Sequence, residues 1–189
     1  MKSPLAIVAF LSCACATLAW AGRKHEPWLS IVKSTDGFLF EGRFEHTEFS
    51  FDIPGDQIQV AQQEVPGDPA MMAIDSLFFS VDSVSVSDFF SVGPEILASY
   101  REYEQQYEQD NLGNVVLSDL DVCEGASLQH VSWQLEILDG KAPPQTFMAV
   151  VAGDRVIVVG SAFANDEEKK QMLGKFSGIC ESFEITKAK

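Results

Sequence analysis

The chain has 189 residues, with 13 Lys and Arg against 28 Asp and Glu, and its formal net charge is −15. This length suits one domain with a substantial core and leaves little room for two. So negative a surface repels nucleic acid and anionic lipid, and both are therefore excluded as partners. The acids are scattered along the chain and are not bunched in one block, which favours a charge that keeps an exported protein soluble; the alternative is an acidic binding face.

The first 21 residues have the features of a signal peptide. Lys2 provides a positive start, residues 5–18 are mostly apolar or small, and Ala19-Trp20-Ala21 fits the small-x-small pattern that signal peptidase needs. We expect cleavage between Ala21 and Gly22 and a periplasmic or extracellular location, without membrane insertion afterwards. A membrane anchor would need about 20 apolar residues, and this run is shorter.

Two of the four cysteines, Cys13 and Cys15, lie in the predicted signal peptide. Either would be the acylated residue of a lipoprotein, but neither has a leucine-like residue three positions upstream. Cys123 and Cys180 remain after cleavage, and an oxidising compartment favours a disulfide between them. The alternative is two separate buried thiols, because sequence spacing does not reveal the distance between two Cα atoms.

Cleavage would also remove Lys2, leaving 12 basic and 28 acidic side chains and a formal charge of −16. The chain then divides into a signal peptide (1–21), a polar lead-in with room for one strand (22–43) and a single α+β domain (44–189). A mature chain of this charge predicts a protein partner whose surface is basic or neutral.

The first half of the domain alternates apolar with polar residues, which is typical of half-buried strands. This pattern predicts a hairpin between Phe38 and Ile53. Two more strands follow at 72–81 and 84–90, with a turn at Asp82-Ser83 between them. Short alternating strands of this kind favour an antiparallel sheet with one partly wet face.

A helix is expected from Pro94 to about Gln109, with Pro94 in its first turn. Its apolar residues recur at steps of three and four: Ile96, Tyr100, Tyr103 and Tyr107. We expect this stripe to pack in the core with its hydroxyls at the rim; the alternative is a ligand platform.

The last third of the chain organises the predicted fold. Strands at 115–123 and 131–137 precede a hairpin that turns at Gly153-Asp154, where Gly supplies the positive φ. Asn165 then caps a helix over 166–180, and a short strand closes the domain. The helix residues expected to pack on the sheet are Met172, Leu173, Phe176, Ile179, Cys180 and Phe183.

The order of these elements resembles the PsbP-like group. The segments that carry the resemblance are Glu48-Phe49-Ser50-Phe51-Asp52-Ile53-Pro54, the mid-chain helix, the strand ending near Val122 before Gly125, Ala152-Gly153-Asp154-Arg155 and Phe183. This group includes the photosystem II extrinsic protein, the Mog-type Ran-binding proteins and the bacterial DcrB-like exported proteins. The resemblance spans Phe44 to Ile185 and implies an α/β/α sandwich, an antiparallel sheet covered by helices. It also implies an interaction or assembly role, and no functional residue is carried over.

Chemical sites are sparse in the sequence, and we assign no catalytic, metal or cofactor residue. Cys123 with His130 would make a thiol nucleophile and its base, but no local signature accompanies them. Calcium would need a ligand loop ending in a distal Glu, which neither candidate group has: Asp119, Asp121 and Glu124, or Asp110, Asn111 and Asn114. His25, His46 and His130 are too far apart in sequence to indicate zinc.

Two functional hypotheses remain. The first is an exported, non-enzymatic interaction or assembly protein of the bacterial envelope, which the absence of a motif favours. The second is a small secreted hydrolase or transferase whose site is not recognised in the sequence.

Overall fold

The computed structural model describes residues 28–44, 46–61, 69–88, 95–123, 128–138, 140 and 142–188. The predicted signal peptide, its cleavage position between Ala21 and Gly22, and Glu124 lie outside these residues. Among the helices of the described ranges, none is long and apolar enough to cross a membrane.

The described residues form eleven strands and two α-helices. In chain order they are β1 (Leu29–Lys33), β2 (Gly37–Arg43), β3 (Thr47–Pro54), β4 (Ile58–Val60), β5 (Ala70–Ile74), β6 (Leu77–Ser85), α1 (Glu95–Leu112), β7 (Val115–Asp119), β8 (His130–Ile137), β9 (Gln145–Ala152), β10 (Arg155–Ala162), α2 (Asp166–Ser182) and β11 (Glu184–Ala188). A short 3-10 helix, Val86–Asp88, follows β6.

The strands divide between two sheets, and every pairing is antiparallel. The four-stranded sheet has the order β1-β2-β3-β11, and the seven-stranded sheet has the order β4-β5-β6-β10-β9-β8-β7. The predicted class of antiparallel β-structure covered by helices is therefore confirmed. The lead-in at 22–43, for which the sequence predicts room for one strand, contains both β1 and β2. It is part of the folded domain, because Phe38 and Phe40 on β2 are buried in the core.

The main core lies between the two sheets and is rich in phenylalanine. Alternate residues of β3 point into it, and their outward neighbours are half-buried polar residues. The buried apolar side chains of the four-stranded sheet are Phe38, Phe40, Phe49, Phe51 and Ile53. Met148, Val150, Ile157 and Val159 meet them from the seven-stranded sheet. Burial of one face and hydration of the other fix the register of these strands.

Helix α2 begins as the sequence predicts. Asn165 accepts a hydrogen bond from the Glu168 backbone N–H at 3.0 Å, and Glu168 accepts in return from the Ala164 N–H at 2.7 Å. Both bonds satisfy N–H groups that a helix start leaves without intrahelical partners. The helix buries Met172, Phe176, Ile179 and Cys180, and also Lys175, which the sequence pattern did not predict to be inside.

The predicted turn at Asp82-Ser83 is wrong. The chain reverses earlier, at Asp75 and Ser76, whose φ angles are 49° and 77°, and β6 then runs unbroken through Asp82 and Ser83. Asp tolerates the left-handed region better than most residues, and its carboxylate accepts hydrogen bonds from the backbone N–H groups of Asp56 and Gln57. These bonds compensate for a turn that lacks glycine.

The tyrosine stripe on α1 is only partly in the core. The helix packs on the far face of the seven-stranded sheet through Ile96, Leu97 and Tyr100, which meet Trp133 and Val158 among others. Tyr103 is 41% exposed and stacks on Tyr107 with ring centroids 6.3 Å apart. The prediction that Tyr103 lies inside is therefore wrong. The buried face of α1 includes Leu97 and Glu104 in addition to Ile96 and Tyr100, and Tyr103 lies outside that face.

Lys175 connects α2 to two loops of the sheets. Its Nζ donates to the Pro54 carbonyl at 2.6 Å and to Asp75 Oδ2 at 2.8 Å. Burial alone would raise the pKa of the Asp75 carboxyl, but hydrogen bonds from Lys175, Gln57 and Asp56 and the charge of Lys175 hold that pKa below its ordinary value. This cluster ties a strand end, a turn and a helix together.

We predict that Asp75→Asn lowers the free energy of unfolding by about 1–3 kcal/mol at neutral pH, because a buried ammonium loses its charged acceptor. A depressed folded-state pKa gives stability that is present above pH 4 and is lost as the pH falls through that pKa. Urea unfolding between pH 2 and pH 7 would measure both effects.

Asp36→Asn is the matched control, since Asp36 is exposed. The acid-induced loss of stability should be smaller in Asp75→Asn than in the wild type and unaltered in Asp36→Asn. Identical pH profiles for all three proteins would contradict the assignment.

Candidate functional site

The pair Cys123 and His130 does not form a nucleophilic centre in the structure. Cys123 is joined to Cys180 by a disulfide, with the Cα atoms 5.5 Å apart. His130 instead lies beside Asp121, with Nε2 to Oδ1 at 3.3 Å, and its Nδ1 is 3.0 Å from the Leu128 carbonyl oxygen. The sulfur that would act as nucleophile is therefore held in a covalent bridge.

The candidate calcium ligands have protein partners. Asp119 pairs with Arg101 at 2.5 Å, and Asp121 accepts from the backbone N–H of Cys123 at 3.0 Å. Asp110 accepts from Gln106 at 2.9 Å. Within the described ranges no group of three or more His, Cys, Asp or Glu is placed to hold a metal ion. His25 lies outside those ranges.

The carboxyl groups of Glu104 and Glu108 lie close together on α1, and Glu108 is only partly ionised near neutral pH. Burial raises the pKa of Glu108 to about 7, and the charge of the neighbouring Glu104 adds to the effect. Glu104 itself is buried. Near neutral pH, α1 therefore carries less negative charge than a count of its acids indicates.

A groove of about 260 Å³ lies on the four-stranded sheet, on the face that points away from the core. Its lining comes from all four strands and from the residue before β1: Trp28, Ser30, Glu41, Gly42, Arg43, Glu48, Phe49, Ser50 and Thr186. The outward polar residues of β2 and β3 contribute four of these nine residues, because they alternate with the buried phenylalanines. We call this feature the sheet groove.

Pairing between the strands sets the order of side chains in the sheet groove. One row of residues in register crosses all four strands: Ser30, Glu41, Ser50 and Glu184. The neighbouring row pairs Arg43 with Glu48, and Arg43 Nε is 3.3 Å from Glu48 Oε1. Ser30 Oγ donates to Glu41 at 3.4 Å. The polar groups that line the groove are thus hydroxyls, carboxylates and the guanidinium of Arg43.

This face of the sheet has more acids than bases. Among its described side chains the acids are Glu41, Glu48, Asp52 and Glu184, and the base is Arg43. Lys33 is directed elsewhere, because its Nζ donates to the Gly55 carbonyl at 3.0 Å and lies 4.3 Å from the Phe38 ring centroid. The negative charge of the whole chain is therefore also present locally at the groove.

Aromatic rings continue from one end of the groove into the core. Trp28 stacks on Phe44 with centroids 5.4 Å apart, and Phe44 stacks on Phe49 at 6.4 Å. Phe183, which ends α2, lies 5.8 Å from Phe49. The guanidinium of Arg155 already lies over Phe44, 4.4 Å from its centroid. Trp28 and Phe49 line the groove, and the stack connects them to the core.

The disulfide holds the last strand of the groove in place. Cys180 is in the final turn of α2, and β11, which supplies Thr186 to the groove, begins four residues later. Met148 on β9 packs against the bridge, with its Sδ 3.6 Å from one sulfur and 3.7 Å from the other. Both cysteines are buried. The bridge therefore anchors β11 to the core.

Sequence reasoning did not find the sheet groove. In the sequence, its polar residues are the solvent-facing half of an alternating pattern, which any sheet with one solvated face also has. The signal that was available is the excess of Glu over Lys and Arg at the outward positions of β2 and β3. The lining residues Ser30 and Thr186 come from strands far apart in sequence, and no pattern within one segment brings them together.

The sequence matches no protein-family model and no curated protein. A comparison of structures matches the solution structure of cyanobacterial PsbP (CyanoP) from Synechocystis sp. PCC 6803, with a TM-score of 0.46 and 15% identity. The match covers 89% of this chain and 98% of that chain. It is a diffuse similarity to the same PsbP-like group that the sequence resembles.

We predict that replacing both Cys123 and Cys180 by Ala lowers the free energy of unfolding by about 4 kcal/mol, since the bridge closes a loop of this length in the unfolded chain. Their separation is 57 residues. Urea unfolding with and without a reductant provides the measurement. The reductant should destabilise the wild type and leave the double variant unaltered, whereas equal stability of the two oxidised proteins would contradict the role assigned to the bridge.

Proposed function

We propose that this chain is an exported protein that binds another protein in the periplasm or outside the cell and catalyses no reaction. The observation that carries the proposal is the sheet groove, an acid-rich depression on the outer face of a sheet whose other face is packed in the core. A firm sheet that presents polar side chains in a fixed row is a suitable docking surface, because little conformational entropy is lost on binding.

Charge supports a basic or neutral partner surface. Four carboxylates against one guanidinium on the described part of this face have the same sign as the net charge of −15. Complementary charges steer association and raise its rate, and salt screens them over about 10 Å at 0.1 M. Association should therefore slow at high salt.

Export is supported by two features of different kinds. The signal-like segment ends at Ala21, and the buried pair Cys123 and Cys180 is bridged. Stable disulfides belong to oxidising compartments, because cytoplasmic reductants keep thiols reduced. The proposed location is the periplasm or the extracellular space.

The second hypothesis, a small hydrolase or transferase, would need a nucleophile and a base. The bridge removes the Cys123 thiol, and His130 is engaged by Asp121 and Leu128. Turnover of an ester, peptide or glycan by the wild-type protein would establish the enzyme hypothesis instead, if His130→Ala abolished that turnover without changing the free energy of unfolding.

We predict that the exported protein begins at Gly22 and contains the Cys123–Cys180 bridge. Mass spectrometry of unreduced peptides, from protein recovered outside the cytoplasm, would determine both. An acylated cysteine at the amino terminus would contradict signal peptidase cleavage at Ala21. Alkylation of both cysteines without prior reduction would contradict the bridge and restore Cys123 as a reactive group.

We predict that a photo-reactive amino acid at Ser30 or Thr186 crosslinks to a protein partner in living cells, because both residues are exposed and line the sheet groove. Ala98 is the matched control, since it is exposed on α1 at the far side of the seven-stranded sheet. Mass spectrometry of the crosslinked species would identify the partner.

The expected result is one specific adduct from the two groove positions, weaker at high salt and absent from the Ala98 position. Equal adducts from all three positions, or none from the groove, would contradict the proposal.

A further inference from the structure

We infer that the C-terminal half of α1 is a pH-sensitive element, packed on the seven-stranded sheet while its buried side is protonated and loosened from that sheet as its carboxyl groups ionise. The inference does not depend on the proposed function. It follows from the position of two glutamates on the helix, the charges around them and the way in which α1 continues into β7.

Glu104 and Glu108 are one helical turn apart on the same side of α1. Glu104 belongs to the buried face of the helix and is 6% exposed, and Glu108 is half-buried. Like charges four residues apart destabilise a helix, and their repulsion is stronger where water is excluded. The packed helix is therefore more stable when one of the two carboxyls carries a proton.

The rest of α1 offers little compensating charge. Arg101 is the one basic residue of the helix, and no basic residue lies in its last turn. The negative end of the helix dipole is in that turn, where carboxylates are unfavourable. The acids of α1 are five: Glu95, Glu102, Glu104, Glu108 and Asp110.

The strands beneath α1 contribute no base among the residues that the structure describes. The helix packs on β7, β8 and β9. The charged residue on this face of β7 is Asp119, and Arg101 already contacts it. His130 of β8 lies on the opposite face, since its partner in register is Val150 of the main core. The other side chains in the contact are apolar: Leu117, Val131, Trp133, Phe147, Ala149 and Val151.

The next two strands of the sheet do not change this balance. β6 adds an acid, Asp82, in register with Val158 of the same apolar cluster. β10 begins with Arg155, but its guanidinium lies over Phe44, beside the main core. The described surface on which α1 packs is therefore apolar and acidic.

Ionisation of Glu108 falls near neutral pH. Burial, with the charge of Glu104 as the smaller cause, raises the pKa of Glu108 to about 7. Because this folded-state pKa is raised, its contribution to stability is fully present below the ordinary pKa of a glutamate and is lost as the pH rises through about 7. The tyrosines of α1 titrate near pH 10, above this window.

A short connection carries the effect from α1 to the edge of the sheet. Gly113 ends the helix, with its N–H donating to the Gln109 carbonyl at 3.1 Å, and β7 begins at Val115. β7 is the last strand in the order of the seven-stranded sheet, so its ladder of hydrogen bonds is to β8. Loosening of the last turns of α1 should therefore also weaken β7.

The test is hydrogen exchange measured by NMR on the mature protein, with each rate converted to a protection factor so that the intrinsic effect of pH cancels. Between about pH 5.5 and about pH 8 we expect residues 104–112 and β7 to lose about tenfold in protection, and the central strands β9 and β10 to lose less. The carbon-13 signal of the Glu108 carboxyl should titrate with a midpoint of about 7.

Glu108→Gln removes the charge and keeps the shape of the side chain, so its protection at high pH should match that of the wild type at low pH. The matched controls are Glu102→Gln and Asp110→Asn, which remove one charge each from exposed positions of the same helix. Both controls should keep most of the pH-dependent loss. Equal gains in all three variants would mean that the total charge of α1 sets the response, and the inference would fail.

Two results on the wild-type protein would overturn the inference without any variant. The first is a Glu108 carboxyl that titrates at the ordinary value for glutamate. The second is a loss of protection at high pH that is uniform over the domain, because the whole protein would then be opening and α1 would have no separate response.

Discussion

Packing of phenylalanine side chains between the two sheets is the interaction on which the rest of the structure depends. Phe49 and Phe51 point inward from β3, so their neighbours Glu48 and Ser50 must point outward. A shift of one residue in the pairing of β3 would bury the carboxylate and expose the rings. The polar surface that we propose as a docking site is therefore fixed by the burial of the apolar residues between its members.

Three contacts hold α2 and β11 against this core, and each acts at a different place. Lys175 joins the middle of the helix to Pro54 and Asp75, the bridge at Cys180 joins its last turn to the loop after β7, and Phe183 stacks on the rings of β3. Ser182 adds a hydrogen bond from the Asp52 N–H at 2.8 Å. Together they hold β11, which forms one edge of the sheet groove, against the core. A binding surface held in place in this way loses little conformational entropy when a partner binds.

Sequence patterns predicted the elements whose signals are local. The turn at Gly153-Asp154 is confirmed by the φ angle of 59° at Gly153, and the cap at Asn165 is confirmed by its side-chain hydrogen bond. Both were predictable because each depends on interactions within a few residues. The turn at Asp75-Ser76 was missed because the backbone N–H groups that donate to its Asp75 carboxylate lie on a separate loop. The sheet groove was missed for the same reason, because its lining is assembled by pairing between strands that are distant in sequence.

The position of β11 beside β3 also affects the order in which the protein folds. Asp52 and Ser182 are 130 residues apart in sequence, yet they are hydrogen-bonded where α2 runs into β11. The hairpins of β1, β2 and β3 are local and need no distant segment, whereas the fourth strand is recruited only after nearly all of the domain has emerged. Until β11 pairs with β3 the sheet groove therefore lacks its last strand. If the chain is exported and binds a partner as we propose, the docking surface would be complete only once the end of the domain has crossed the membrane.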